Sequence, residues 1–116
     1  MPKATQFMTT YDPGSIVFID YPYADLGKTK RRPALVVLDS GDADIVVARV
    51  TSQAPRTSYD VTVSNWSAAG LVAPSIVRLD KLITIEKSLI IRTLGKLSNT
   101  DHQSVGAVIQ TLFSGW

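Results

Sequence analysis

Two apolar runs joined by a tight turn constrain this chain more than any other feature. Ala34-Leu35-Val36-Val37-Leu38 contains no polar residue, and Ile45-Val46-Val47-Ala48-Arg49-Val50 follows after Asp39-Ser40-Gly41-Asp42. Turn residues of that kind between β-rich runs mark a hairpin. An uninterrupted apolar run, as opposed to an alternating one, belongs to a strand covered on both faces. The fold must therefore supply material above and below the middle of its sheet. Charge abuts this buried hairpin: Lys28, Lys30, Arg31 and Arg32 stand just before Pro33, with no acid among them. Pro33 suits the first residue of a strand, where its missing N–H breaks no ladder.

The remaining elements are short. Ser15 to Tyr21 is rich in β-formers and follows Pro13-Gly14; Pro22 ends it, and residues 24–29 carry the turn chemistry of a loop. Tyr59 to Val63 alternates as a half-buried strand, and so does Ile76 to Leu82, which sets Arg78 and Asp80 on the face of Ile76. Leu89 to Leu94 is the last strand. Ser98 with Asp101 three residues on approximates a capping box. Val105, Val108, Ile109, Leu112 and Phe113 then form one apolar stripe at helical spacing, with Gly115 as a stop. The expectation is a mostly β chain with a C-terminal helix over 99–114, its strands rolled into a small barrel. The helix packs on one side of that barrel or on a partner subunit. A chain of 116 residues makes one domain, 1–116, with residues 1–12 as a loose leader.

Several function classes fall away. Cysteine is absent, so there is no disulfide framework and no thiolate metal site. There is no phosphate-binding glycine loop and no dinucleotide fingerprint. His102 is the only histidine and lies outside the apolar stripe, which makes it a surface residue and excludes a histidine pair for acid–base work. Ligands cluster too poorly for a metal, and no cofactor is expected. No apolar stretch reaches membrane-spanning length and the N-terminus lacks a signal core, so a reducing cytoplasm is the expected compartment. The net charge of +2 is too small to announce a nucleic acid, so charge location decides. A run such as residues 28–32 is most often a solvated loop.

What remains is a set of strand ends. Arg32 precedes one strand, Thr51 and Ser52 end another, and Arg78 and Asp80 lie two apart on a third. If these ends converge, they offer two cations, two hydroxyls and a carboxylate, a set suited to a phosphodiester. The same Arg78–Asp80 spacing also fits an exposed cross-strand charge pair of little energetic weight.

Five stretches, in order, resemble the MazF/PemK toxin endoribonucleases of bacterial toxin–antitoxin systems. "GSIVFIDYPYAD" resembles the family's first strand, with Ser15 where an acid is common; "KRRPALVVL" resembles its second segment. "VARVTSQ" is similar to the strand that carries the family's threonine, "GLVAPSIVRLDKLITI" to the next loop and strand, and "LGKLS" to the lead-in to the final helix. The resemblance covers most of residues 14–99. It implies an SH3-like small β-barrel, a homodimer, metal-independent cleavage of single-stranded RNA leaving a 2′,3′-cyclic phosphate or 3′-phosphate and a 5′-hydroxyl, and an antitoxin partner with a flexible acidic tail. Carried over by motif, Arg32, Thr51, Arg78 and Asp80 are the catalytic candidates, and Lys28, Lys30, Arg31, Ser52, Gln53 and Arg56 the RNA-binding ones. Tyr59 and Trp66 are candidates to stack on bases, although Trp66 equally suits the edge of the core.

On that reading the RNA 2′-hydroxyl is the nucleophile, which explains why no activated serine or cysteine is needed. Asp80 is the candidate base, and Arg32, Arg78 and Thr51 stabilise the charge that builds on the phosphate. Arg32 is held by its strand while Lys28, Lys30 and Arg31 stay in the loop to grip the RNA backbone. The alternative is a CcdB-like toxin, which shares this shape but poisons DNA gyrase through a final Trp-Gly-Ile; this chain ends Ser114-Gly115-Trp116 and keeps the arginine and threonine positions.

Overall fold

The expected central hairpin is the middle of a six-stranded antiparallel sheet. The computed structural model describes residues 9–23 and 28–116. In chain order these form β1 (Ser15–Tyr23), β2 (Lys28–Leu38), β3 (Asp44–Thr51), β4 (Asp60–Val63), β5 (Ser75–Glu86), a 3₁₀ turn (Lys87–Leu89), β6 (Ile90–Lys96) and helix α1 (Asn99–Leu112). The strand order is β4-β5-β3-β2-β1-β6. Both faces of the hairpin are covered, as its apolar runs require. Leu35, Ala48 and Val50 lie in one core cluster with Val105 of α1, while Ala34, Val36 and Val47 lie in a second with Val17, Ile19 and Ile85. The period-2 alternation of side chains along each strand sends neighbours to opposite clusters.

The sheet is an open roll, with β4 and β6 as its edges. The loop after β4 spans the gap. Gly70, at φ +86°, lies with its backbone against Leu94 of β6, and Gly95 of β6 meets Ala69; a Cβ at either glycine would collide with the opposing carbonyl. This close approach, which only glycine permits, takes the place of a final strand pairing.

Several strands run further than expected. β2 begins at Lys28, before Pro33, because β1 runs on to Tyr23 and pairs residue by residue from Ile19↔Arg32 to Tyr23↔Lys28. Lys30, Arg31 and Arg32 thus ride on a strand. Pro33 is tolerated inside it because β3 begins pairing only at Ala34. Residues 1–8 of the leader and 24–27 of the loop lie outside the described residues.

Ser98 caps α1, its hydroxyl accepting from the Asp101 amide at 3.2 Å. The capping box stops there. The Asp101 carboxylate, 2% exposed, turns to the loop after β4 and accepts from the amides of Ser64 (3.1 Å) and Asn65 (2.8 Å). The helix is thereby pinned across the roll, with Val105 buried and Val108 and Ile109 packed on the first cluster, while Phe113 at its end is exposed. Trp66 packs against the same cluster, as a residue at the core edge does.

Asp39, at the end of β2, forms a second tie. It accepts from the Tyr11 amide (2.8 Å) and the Gly41 amide (2.8 Å) and forms an ion pair with the Lys87 ammonium (2.9 Å). Burial pushes its carboxyl upward, but these donors outweigh burial and hold it below the usual carboxylate range.

Candidate active site

The site is built by register. On β3, Val47, Arg49 and Thr51 alternate onto one face of the sheet. Arg49 is paired with Ala34 of β2 and with Arg78 of β5, and Arg78 is paired in turn with Asp60 of β4. Directly paired residues share a face. Extending the β2–β3 register by two residues sets Arg32 opposite Thr51. Arg32, Arg49, Thr51, Asp60 and Arg78 therefore occupy one face across four strands. Arg32 and Arg78 stand two strand spacings and two residues apart, about 12 Å between Cα atoms, within reach of two extended arginine side chains.

Arg78 is almost completely buried, at 1% exposure. Its Nη1 donates to Asp60 Oδ2 at 2.6 Å and its Nη2 to Gln53 Oε1 at 3.2 Å. The Asp60 side chain is equally buried and also accepts from the Arg56 amide at 2.7 Å. Thr51, 8% exposed, accepts from the Gln53 amide at 3.2 Å through its hydroxyl oxygen. Gln53 joins the Thr51 and Arg78 sites directly.

Asp80 is not part of that network. Ala48 pairs with Leu82 but Arg49 pairs with Arg78, so Leu79, Asp80 and Lys81 bulge out of the β3–β5 ladder. The alternation read from the sequence holds from Ile76 through Leu79, which lies with Val77 in the first core cluster, and Asp80 then stands exposed on the bulge. The buried partner of Arg78 is Asp60, eighteen residues away in sequence.

The RNA-contact candidates divide. Lys30 and Arg31 are exposed on β2, Arg31 with its Nε 3.4 Å from Asp20. The side chain of Lys28 lies outside the described residues. Ser52 and Gln53 line a groove of about 390 Å³ with Trp66, Thr62 and Pro74. Arg56 is exposed beside it, with its amide held by Asp60. A second cavity, of about 100 Å³, opens beside Arg32. Ile19, Ala34, Val47 and Ile83 give it apolar walls, and Arg32, Arg49 and Lys81 line it with no acid among them. Among the described residues no group of three or more histidine, cysteine or acidic side chains stands close enough to hold a metal. No described helix is long and apolar enough to cross a membrane.

The family model of the PemK-like, MazF-like toxins of type II toxin–antitoxin systems matches residues 12–113. The chain belongs to this toxin family. Solved structures agree in fold. An endoribonuclease from a mycobacterial species superposes with a TM-score of 0.72 at 18% identity, covering 93% of this chain and 95% of that one. The Mycobacterium tuberculosis toxin MazF-mt6 gives 0.70 at 23% identity, over 89% and 97%. A MazE–MazF complex from Deinococcus radiodurans gives 0.72 at 19%, over 91% and 98%. No curated protein sequence matches the chain.

Within this toxin fold, the sequence reading missed Arg49, Asp60 and Lys81. A signal existed for Arg49, which shares the β3 alternation with Thr51. Asp60 lay in an alternating strand, but nothing local ties it to Arg78. Lys81 enters the cavity wall only because of the bulge.

Proposed function

We propose that this toxin is an endoribonuclease that cleaves single-stranded RNA, mRNA above all, to stop translation and growth. The observation that carries the reading is that the β2–β3 register, extended by two residues, sets Arg32 of β2 opposite Thr51 at the end of β3, on the face that also holds Arg78, in a chain of the MazF-like toxin family. Solved relatives of this fold include an endoribonuclease in complex with its cognate antitoxin.

The chemistry follows from what each group can do. The substrate 2′-hydroxyl attacks the adjacent phosphorus; the P–O5′ bond breaks, leaving a 2′,3′-cyclic phosphate and a 5′-hydroxyl. Arg32 donates to the non-bridging oxygens as charge builds on them, and the Thr51 hydroxyl donates beside it. Arg78 is too buried to be displaced by RNA without breaking its pair. It serves as a positioning residue, fixing Gln53 and through it Thr51. Asp80, exposed on the bulge, is the candidate to take the 2′-hydroxyl proton, and water protonates the leaving 5′-oxygen. Lys28, Lys30, Arg31, Ser52, Gln53 and Arg56 hold the strand around the scissile linkage. The chain works as a single domain and a homodimer in the cytoplasm, where its RNA is, and a cognate antitoxin covers the basic face.

Purified protein incubated with single-stranded RNA in EDTA tests this. Wild type cuts, and a folded Arg32→Ala protein loses about 10² to 10³ in rate, the usual cost of one preorganised oxyanion donor. Intact RNA with gyrase-dependent DNA breaks would replace the reading with a gyrase poison.

A further inference from the structure

We propose that the cavity beside Arg32 is a base-reading pocket in which the Arg49 fork grips a nucleobase presenting two adjacent acceptors, guanine or cytosine. This deepens the RNA-cleavage reading and rests on it. The pocket is small, about 100 Å³, with apolar walls that include Val47 and Ile83, and Tyr21 supplies an aromatic side. Flat rings suit such walls; a phosphate, which gives up strong hydration, needs polar groups on every side. The polar groups present are Arg32, Arg49 and Lys81, all cationic donors, and the Tyr21 hydroxyl. The Nε of Arg49 is buried and makes no hydrogen bond. An unsatisfied buried guanidinium N–H is uncommon in a native fold and calls for an explanation.

Geometry then selects among the bases. A guanidinium presents two parallel N–H groups, so its match is an edge with two neighbouring acceptors. Guanine offers O6 and N7, the commonest arginine contact to a base. Cytosine offers O2 and N3. Adenine and uracil alternate donor and acceptor along their edges and leave one prong of the fork unpaired. Because Arg32 lines the same pocket, the seated base belongs to a nucleotide next to the phosphate that Arg32 holds. Arg49 sits inside β3, paired on both sides, so the fork is held by the sheet and does not depend on a loop to place it.

Two measurements decide it. The first maps 5′-hydroxyl ends from brief digestion of a random-sequence RNA by wild type, Arg49→Met and Arg49→Lys. Wild type favours guanine or cytosine at one fixed position beside the cut. Both variants flatten that preference, with cleavage at the favoured sites falling about 5- to 150-fold toward the level of the others, the worth of one bidentate base contact. Lysine keeps the charge but not the fork. A fall that is uniform across sequences, with a salt dependence weakened by about 0.7 in slope, marks a single-strand phosphate contact and overturns the proposal.

The second measurement uses the wild-type protein alone. Methyl resonances of Val47 and Ile83 are followed while guanosine, cytidine, adenosine and uridine monophosphates and ribose 5-phosphate are titrated in. Shifts with the first two only are expected. Equal shifts with ribose 5-phosphate, or none, refute the pocket whether or not Arg49 variants fold. Base-selective shifts without RNA cleavage would keep the pocket and remove the nuclease; cleavage without preference or shifts would do the reverse.

Discussion

Replacing Asp60 by alanine isolates what holds the centre of the site together. In the native fold two fully buried groups meet at 2.6 Å, and among the described residues Gln53 is the other partner of the guanidinium. Removing the carboxylate leaves the Arg78 charge buried and uncompensated, which costs about 3–5 kcal/mol. The Arg56 amide, which also loses its acceptor, lies at an exposed position where water replaces it. At about 2.1 cal/mol/K per residue, the chain's 116 residues give an unfolding entropy of about 240 cal/mol/K, so the loss is about 12–20 °C in Tm. The converse substitution is expected to reveal a pair that is not itself a large net stabiliser. Asp60 Oδ1 and Arg78 Nε are buried without partners, so the network is only partly satisfied. The double variant Asp60→Leu/Arg78→Met removes both charges together and recovers most of the single loss, since apolar replacement of a buried pair is often neutral or favourable. Thermal melts and urea titrations of the two singles and the double complete the cycle. A single-variant cost below about 1 kcal/mol, or a double variant as unstable as the two losses combined, would refute the reasoning.

Other substitutions carry separate expectations. Asp39 is ionised more readily in the folded chain than in the unfolded one, so its contribution is present above the unfolded value, near pH 4, and is lost as pH falls through the folded value. Urea midpoints of Asp39→Asn should lie below those of wild type at pH 7, and the gap should close below about pH 4. Asp101→Ala leaves the Ser64 and Asn65 amides without acceptors and should cost about 2–4 kcal/mol, with faster hydrogen exchange at those two amides. Lys30→Ala, on the exposed part of β2, should leave the position of RNA cuts unchanged while lowering the salt slope of RNA binding by about 0.7, the share of one single-strand phosphate.

The sheet was legible because its signals are local. The unbroken apolar run at 34–38 required cover on both faces, and two core clusters provide it. The α1 stripe and the Ser98 cap are likewise patterns within one short window. The extent of β2 was hidden because Lys28 to Arg32 looks like a charged loop in isolation. Only the continuing edge of β1, from Ile19 to Tyr23, turns it into a strand. Arg32 and Thr51 could be named from the sequence, but their proximity depends on the β2–β3 register, which no single segment encodes.

The pairing of Arg78 shows why the rest was hidden. Strict alternation ties Arg78 to Asp80, two residues on and on the same face. That inference assumes an unbroken ladder. With Leu79, Asp80 and Lys81 bulged out opposite a single step of β3, Leu79 still joins Val77 in the first cluster, and the faces exchange beyond it, where Leu82 packs on the first cluster and Ile85 lies in the second. Arg78 then sits with its guanidinium toward β4, where Asp60 and the Gln53 side chain meet it. The same bulge exposes Asp80 and brings Lys81 to the wall of the Arg49 cavity. One local irregularity thus leaves the buried Arg78–Asp60 pair alone at the centre of the network, with Asp80 exposed and Lys81 on the cavity wall.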